Sequence, residues 1–176
     1  MINLDSTAGN RVIWNCKTPP DWIFCDREIK LGLSPDVFCD NRYLPFRDNV
    51  FQCAIYDPPY QWGDKLWARD PKGKTEGGSK WSWYGTYKNK RDLIQNLIKA
   101  SRELYRVSMR LCFKWCEFAL PLSNIISLFI PPWIIFQQKG HNSKKQTSKN
   151  QTWWVTMVRT KTIICAEGKG KEKVMK

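Results

Sequence analysis

The feature that most constrains this chain of 176 residues is a double proline directly after an apolar run. Residues 51–56 have the composition of a buried strand, and Asp57-Pro58-Pro59-Tyr60 comes next in the sequence. Because proline lacks an N–H for the sheet ladder and disfavours helix in the residue before it, the chain must leave this strand in a stiff, extended turn. Such a turn holds a carboxylate, carbonyl oxygens and an aromatic ring at the carboxyl edge of a sheet, where open α/β sheets bind ligands.

Apolar runs upstream end at acidic residues in the same way. Residues 2–5, 22–26 and 36–40 each read as a short strand with an aspartate at its end. The four acids that end strands are Asp5, Asp26, Asp40 and Asp57. A single aspartate at such a place is more often a turn former or a helix cap than a ligand contact. Parallel strands would bring all four acids to one edge of the sheet, and this favours a binding site there.

These motifs together resemble the class I S-adenosylmethionine-dependent methyltransferases, and in particular small phage and prokaryotic enzymes that methylate adenine. Residues 40–57 resemble the family pattern D-x-x-x-LPF-x-D…DPPY, and Phe113-Lys114-Trp115 resembles the strand that follows the family's central helix. The resemblance extends over residues 2–159. It implies an α/β, Rossmann-like fold with a single, mostly parallel sheet, a carboxyl-terminal antiparallel hairpin and shortened amino-terminal crossovers.

The resemblance assigns the catalytic role to Asp57, Pro58, Pro59 and Tyr60. Asp57 and the carbonyl oxygen of Pro58 would accept hydrogen bonds from a target amine, and Tyr60 would stack on the ring that carries it. An aromatic amine is a poor nucleophile because its lone pair is delocalised into the ring. Catalysis would therefore rest on positioning and electrostatics, with the target base unpaired or flipped out of a duplex.

The resemblance also implies S-adenosylmethionine as the cofactor. The loop after the first strand would contact its methionine part, Asp26 would hold the ribose hydroxyls, and Asp40 would accept a hydrogen bond from the adenine amine. The implied cofactor-binding residues are Asp5, Thr7, Ala8, Gly9, Asp26, Asp40 and Asn41. This loop in the family normally carries two or three glycines, whereas here it has only Gly9.

The expected reaction is the transfer of a methyl group to adenine N6 in DNA, because an aspartate at the start of the motif is commoner in adenine-N6 enzymes. Cytosine N4 in DNA and a base amine in RNA stay open as alternatives, and so does a catalytically silent methyltransferase fold that binds nucleic acid. The chain has no Pro-Cys dipeptide, which excludes the cysteine chemistry of cytosine-5 methyltransferases. The seven cysteines lack zinc-ligand spacing, so we expect no metal site and free thiols in a reducing compartment.

The charge of the chain points to a polyanionic partner. Its 29 basic and 16 acidic residues give a formal net charge of +13, which favours nucleic acid, with DNA preferred over RNA. Residues 61–91 interleave basic, aromatic and glycine residues after the double proline, and this predicts a mobile loop that clamps nucleic acid. The predicted contacts are Lys72, Lys74, Lys80, Trp81, Trp83, Tyr84 and Lys88. A flap that only closes over the cofactor is the alternative.

The rest of the chain favours one methyltransferase domain, residues 1–166, with a basic disordered tail at residues 167–176. Residues 93–105 have the apolar spacing of a helix, and residues 133–138 and 152–160 read as the terminal antiparallel strands. No apolar run reaches the roughly 18 residues of a membrane span, and the amino terminus lacks a signal-peptide pattern. A cytoplasmic protein without membrane contact is therefore expected.

Two further expectations concern the surroundings of the cleft. The connections between the first strands are too short for full crossover helices, so either Ile13 and Trp14 or a second subunit in a homodimer would cover one sheet face. Residues 109–113 read as the strand after the helix, which places Lys114 at a strand end near the cleft. Whether Lys114 has a catalytic or phosphate-binding role stays open from the sequence.

Overall fold

A computed structural model of the chain shows an α/β fold built on one sheet. It describes residues 2–9, 11, 13–27, 33–63, 87–117, 119–129, 133–141 and 151–159. The elements, in chain order, are β1 (Asn3–Asp5), β2 (Trp22–Asp26), β3 (Val37–Phe38), β4 (Phe51–Tyr56), α1 (Lys90–Val107), β5 (Ser108–Cys116), α2 (Leu122–Ile126), β6 (Trp133–His141) and β7 (Thr152–Arg159). The predicted tail at residues 167–176, and most of the predicted loop, lie outside the described residues.

The seven strands lie in the order β3-β2-β1-β4-β5-β7-β6. Strands β1 to β5 pair in parallel, whereas β7 runs antiparallel between β5 and β6. The predictions of a mostly parallel sheet and of an antiparallel terminal pair are confirmed. Because the strand order reverses between β1 and β4, the carboxyl ends of these neighbours form a switch point, which is where open α/β sheets bind ligands.

Helix α1 covers one face of the central strands, as its apolar spacing predicts. It begins after Asn89, whose side chain accepts a hydrogen bond from the backbone N–H of Asp92 at 2.9 Å, an ordinary N-cap. Its buried stripe includes Leu93, Leu97 and Leu104, each with no exposed surface. None of the helices in the described part of the chain is long and apolar enough to cross a membrane.

A buried polar contact fixes the end of β4 against α1. The hydroxyl groups of Tyr56 and Tyr87 both donate to Oδ1 of Asn96, at 3.1 and 2.9 Å. The Tyr56 ring also stacks on Phe113 of β5, with ring centroids 5.8 Å apart. Since buried polar groups that are satisfied resist displacement, this contact holds the residue that immediately precedes Asp57 in one position.

The amino-terminal part of the sheet is held differently, because the described residues between β1 and β4 contain no helix. The buried guanidinium of Arg11 lies 3.9 Å from the ring centroid of Phe24 and donates to the carbonyl of Ser34 at 3.1 Å. The indole of Trp14 packs edge-on against Trp22 and Phe24, with centroids 4.5 and 5.4 Å away. Trp14 therefore packs on β2, in line with the first of the two predicted alternatives, and the homodimer stays a prediction.

Some element boundaries differ from those that the sequence predicts. Strand β5 continues three residues beyond the predicted residues 109–113, because it pairs with β7 up to Cys116. Strand β3 has only two residues, shorter than the predicted run. Helix α2 was not predicted, since prolines interrupt the apolar stretch in which it lies. Strand β6 extends to residue 141, past its predicted end at residue 138.

Candidate active site at the carboxyl edge of the sheet

The loop after β1 is tied directly to the end of β4. The backbone N–H of Asp57 donates to the Thr7 hydroxyl at 2.7 Å. The backbone N–H and the hydroxyl of Ser6 both donate to the carbonyl of Ile55, at 3.0 and 2.9 Å. These bonds follow from the parallel register, in which Asp5 lies opposite Ile55. The structure thus brings the predicted cofactor loop and the double-proline motif together at the switch point.

The Asp57 side chain is buried, and only one of its two carboxylate oxygens accepts a hydrogen bond from the described residues. Its Oδ2 accepts a hydrogen bond from Nζ of Lys114 at 2.6 Å, and the two side chains are 8% and 17% exposed. Within the described part of the chain, Oδ1 of Asp57 is buried and accepts no hydrogen bond. Burial raises the pKa of this carboxyl, while the charge and hydrogen bond of Lys114 oppose that rise. A buried carboxylate oxygen without a donor is unusual in a folded protein and marks a place where a ligand N–H would be favourable.

The remaining residues of the motif lie beside Asp57. Pro58 is buried, and Pro59 and Tyr60 are half-buried. The Tyr60 ring meets Trp115 edge-on, with centroids 6.3 Å apart. Directly after it, the backbone N–H of Tyr87 donates to the carbonyl of Gln61 at 3.1 Å, and that of Gly63 donates to the carbonyl of Tyr87 at 2.8 Å. The two residues that flank the segment 64–86 are therefore held together next to the motif.

Asp5 is a buried acid that holds its own loop. Its Oδ1 accepts a hydrogen bond from the backbone N–H of Thr7 at 3.1 Å, and its Oδ2 accepts one from the Trp14 indole at 2.7 Å. Burial raises the pKa of Asp5 to about 6, against the effect of these two hydrogen bonds and with smaller help from the charges of Asp57 and Asp26. The indole contact with Asp5 is a link that sequence patterns did not indicate.

The only glycine of the loop stands where a side chain would be unfavourable. Gly9 has a φ of 46°, in the left-handed region that glycine adopts without strain. Its N–H donates to Oδ2 of Asp26 at 2.8 Å, and the N–H of Ala8 donates to the carbonyl of Cys25 at 3.0 Å. No described atom lies within 4 Å of the point where a Gly9 side chain would begin, so the backbone can be approached closely here.

Asp40 lies at the same edge but is paired with a neighbour in sequence. Oδ1 of Asp40 accepts hydrogen bonds from the backbone N–H and Nε of Arg42, both at 2.9 Å, and Oδ2 accepts one from Nη2 at 2.5 Å. Although partial burial acts to raise it, these hydrogen bonds lower the pKa of Asp40. The backbone N–H of Cys39 donates to the carbonyl of Asp26 at 3.1 Å, and Asn41 is half-buried. This pair was not predicted, although Arg42 stands only two residues after the acid in the sequence.

Most of the predicted nucleic-acid contacts cannot be placed. Lys88 is exposed and immediately precedes the N-cap of α1. The others lie outside the described residues: Lys72, Lys74, Lys80, Trp81, Trp83 and Tyr84. The charge surplus that motivated them is a property of the whole sequence.

The arrangement as a whole offers hydrogen-bond acceptors and an aromatic ring rather than metal ligands. Among the residues that the structure describes, no group of three or more histidine, cysteine or acidic side chains could hold a metal ion. The six cysteines in that part of the chain are free, and Cys25 and Cys116 are buried. Comparisons of the chain with models of protein families, with curated proteins and with solved structures found no match.

Proposed function

We propose that this protein transfers a methyl group from S-adenosylmethionine to the exocyclic amine of a nucleobase, with adenine N6 in DNA as the preferred target. The observation that carries the proposal is the buried Oδ1 of Asp57, which has no hydrogen-bond donor among the described residues. It lies at the switch point of the sheet, in a turn whose next residues supply carbonyl oxygens and the Tyr60 ring. A planar ring that carries an N–H donor supplies what this position lacks.

The residues of the β1 loop fit a cofactor that approaches the backbone closely. The open space beside Gly9 and the hydrogen bond from its N–H to Asp26 are the features that support this fit. In the proposal, Thr7, Ala8 and Gly9 contact the cofactor and Asp26 holds its ribose. When bound, S-adenosylmethionine would supply an electrophilic methyl group on its sulfonium: the amine nitrogen would take the methyl as the C–S bond breaks, the cofactor would leave as a neutral thioether, and one amine proton would pass to solvent. Asp40 would have to share its carboxylate with Arg42, which occupies both oxygens.

The chain's own residues would act on the amine by position and charge. Oδ1 of Asp57 and the carbonyl of Pro58 accept hydrogen bonds from the two amine hydrogens, and this directs the nitrogen lone pair away from both. Tyr60, held by its edge contact with Trp115, forms one wall for the base. Because Asp57 is buried and shielded from water, its charge acts on the amine more strongly than an exposed carboxylate would.

The finer fold class, a Rossmann-like methyltransferase, is part of the proposal. What supports it is the order of the first five strands, β3-β2-β1-β4-β5, which is the Rossmann order, together with the antiparallel β7 beside β5. The net charge of +13 supports a polyanionic substrate. In this proposal, the basic loop supplies the contacts with nucleic acid.

Nucleoside mass spectrometry tests the proposal directly. The protein is incubated with S-adenosylmethionine and, separately, with unmethylated duplex DNA, single-stranded DNA and RNA. We expect N6-methyladenine in DNA. N4-methylcytosine, or a methylated base in RNA only, would contradict the preferred target and leave the reaction type standing. No methylated base in any pool, together with no saturable binding of S-adenosylmethionine by calorimetry, would overturn the proposal in favour of a silent nucleic-acid-binding fold.

The matched variant is Asp57→Ala. We expect turnover to fall by about a thousandfold, because the amine loses its charged acceptor, while the affinity for S-adenosylmethionine stays within about threefold. Asp21→Asn is the control, since it removes an exposed carboxylate before β2, at the opposite edge of the sheet, and should leave turnover unchanged. A large loss of cofactor affinity in Asp57→Ala would instead assign Asp57 to the cofactor site.

A further inference from the structure

The contact between Asp57 and Lys114 is a consequence of sheet register. Tyr56 of β4 lies opposite Phe113 of β5. Asp57 directly follows Tyr56, and Lys114 directly follows Phe113. Successive residues of a strand point to opposite faces, so Asp57 and Lys114 both leave the sheet on the face away from the Tyr56 and Phe113 rings. Their 2.6 Å contact is thus set by two hydrogen-bonded strands and not by a loose surface side chain.

A second neighbour restrains the lysine from the other side. Lys114 lies opposite Trp154 in the antiparallel pairing of β5 with β7, and its Nζ is 5.8 Å from the centroid of that indole. An ammonium near an aromatic face is favoured, more so where water is excluded. Lys114 is therefore held between Asp57, directly after β4, and Trp154 on β7, and its side chain is 17% exposed.

The other titratable groups near Asp57 do not replace this cation. Within the described part of the chain, the charge of Asp57 acts on Asp5 of β1 and on Cys116 at the end of β5. Asp5 is an acid whose charge opposes ionisation of Asp57, and burial raises the pKa of the Cys116 thiol. Without Lys114, neither of these two groups would compensate the charge of the buried carboxylate, and burial would disfavour that charge.

We propose that Lys114 is a positioning residue for methyl transfer: its ammonium occupies Oδ2 of Asp57, stabilises the charge of that carboxylate, and leaves Oδ1 as the oxygen that meets the target amine. This inference rests on the proposed function for its role in turnover, and on the structure alone for the ion pair. Lys114 itself touches neither the amine nor the cofactor in this scheme. Its effect on turnover is transmitted through the charge and orientation of Asp57.

The test follows the Asp57 carboxyl itself by NMR with ¹³C-labelled aspartate, using Asp57→Asn to assign the resonance. In Lys114→Met, we expect the titration midpoint of Asp57 to rise by about one pH unit or more, because the compensating cation is gone. Lys114→Arg keeps the charge and should retain a midpoint close to that of the wild type. The same midpoint in wild type and Lys114→Met would overturn the proposal. This readout does not require methyl transfer.

A measurement on the wild type alone covers the case in which Lys114→Met does not fold. With the lysine side chains also labelled with ¹⁵N, the Nζ shift of Lys114 should change at the same midpoint as the Asp57 carboxyl. An Nζ shift that ignores the Asp57 titration would contradict the ion pair.

Kinetics then separate a positioning role from a structural one. We expect kcat of Lys114→Met to fall by about ten- to a hundredfold at pH 7, with cofactor affinity within about threefold and the acidic limb of the kcat profile moved to higher pH. Lys114→Arg should restore the position of that limb. A lower kcat with an unmoved limb would mean a structural role only. If no substrate is methylated, the proposed function fails, and the NMR titrations still decide whether Lys114 controls Asp57.

Discussion

The carboxyl edge of the sheet has two halves, an amino-terminal half at β1, β2 and β3 and a second half at β4 and β5, and the aspartates of the two halves differ in their hydrogen bonds. On the amino-terminal half, Asp5 and Asp26 end β1 and β2, and Asp40 lies two residues after β3. These acids accept hydrogen bonds from residues of the same half: Asp5 from Trp14, Asp26 from Gly9 and Asp40 from Arg42. On the other half, Asp57 at the end of β4 has one oxygen paired with Lys114 and one that accepts nothing among the described residues. The same residue type at the same edge therefore has different roles, and the donors around each carboxylate decide which.

The two halves also differ in how they are held. Strands β1, β2 and β3 have only three, five and two residues, and the described residues that connect them contain no helix. Besides buried apolar side chains such as Phe24, hydrogen bonds and the cation–π contact of Arg11 stabilise this half. Around β4 and β5, the buried stripe of α1 and the stacked rings of Tyr56 and Phe113 pack against the sheet.

The largest effect that we expect from this comparison concerns Asp5. Its folded pKa of about 6 lies above the ordinary aspartate pKa of 3.8, so the folded state binds more protons between these pH values. The stabilising contribution of the protonated form is present below pH 4 and is lost as the pH rises through about 6, by about 3 kcal/mol in total. The amide of Asp5→Asn does not titrate in this pH range, so the variant lacks this dependence of stability on pH.

Urea unfolding at pH 4 to 7 measures this effect. The free energy of unfolding of Asp5→Asn, relative to the wild type, should change by about 2.4 kcal/mol in favour of the variant between these limits, because at pH 4 part of the full effect has already been lost. The difference between the two proteins isolates Asp5, because their other titrating groups are shared. If the difference in the free energy of unfolding between the two proteins were constant with pH, Asp5 would not be a buried carboxylate with a raised pKa. The contrast between the two halves would then not hold for Asp5.

Asp26 gives a second, smaller test. Asp26→Ala removes the acceptor for the Gly9 N–H and the proposed ribose contact. We expect the affinity for S-adenosylmethionine, measured by calorimetry, to fall by about thirtyfold, or about 2 kcal/mol. Asp21→Asn, an exposed carboxylate before the same strand, should leave it within about twofold. If Asp57→Ala weakened cofactor binding more than Asp26→Ala, the assignment of cofactor binding to the amino-terminal half would be wrong.

The sequence alone predicts those features of this edge that depend on local residue patterns. The double proline located the turn after β4, the apolar spacing located α1, and the strand-end acids located the shared edge. The pairing of each acid with its donor was not predicted, because Lys114 meets Asp57 through strand register and Trp14 meets Asp5 through a turn. Such contacts are fixed by tertiary packing, which a single sequence does not display.

Arg106 joins the two halves, and its loss should have the smallest effect of the three. From the last turn of α1, its guanidinium donates to the carbonyls of Leu44 and Phe46, at 2.9 and 2.7 Å, and to Oδ1 of Asp48 at 2.9 Å. This segment follows Asp40 in the chain and connects β3 to β4.

Arg106→Met should lower the free energy of unfolding in urea by about 1–2 kcal/mol, because it leaves the carbonyls of Leu44 and Phe46 without this donor. Arg102→Met, at an exposed position on the same helix, should change it by less than about 0.5 kcal/mol. Equal effects of the two substitutions would mean that the guanidinium contacts with this segment contribute no net stability, and that the amino-terminal half is held by its own hydrogen bonds alone.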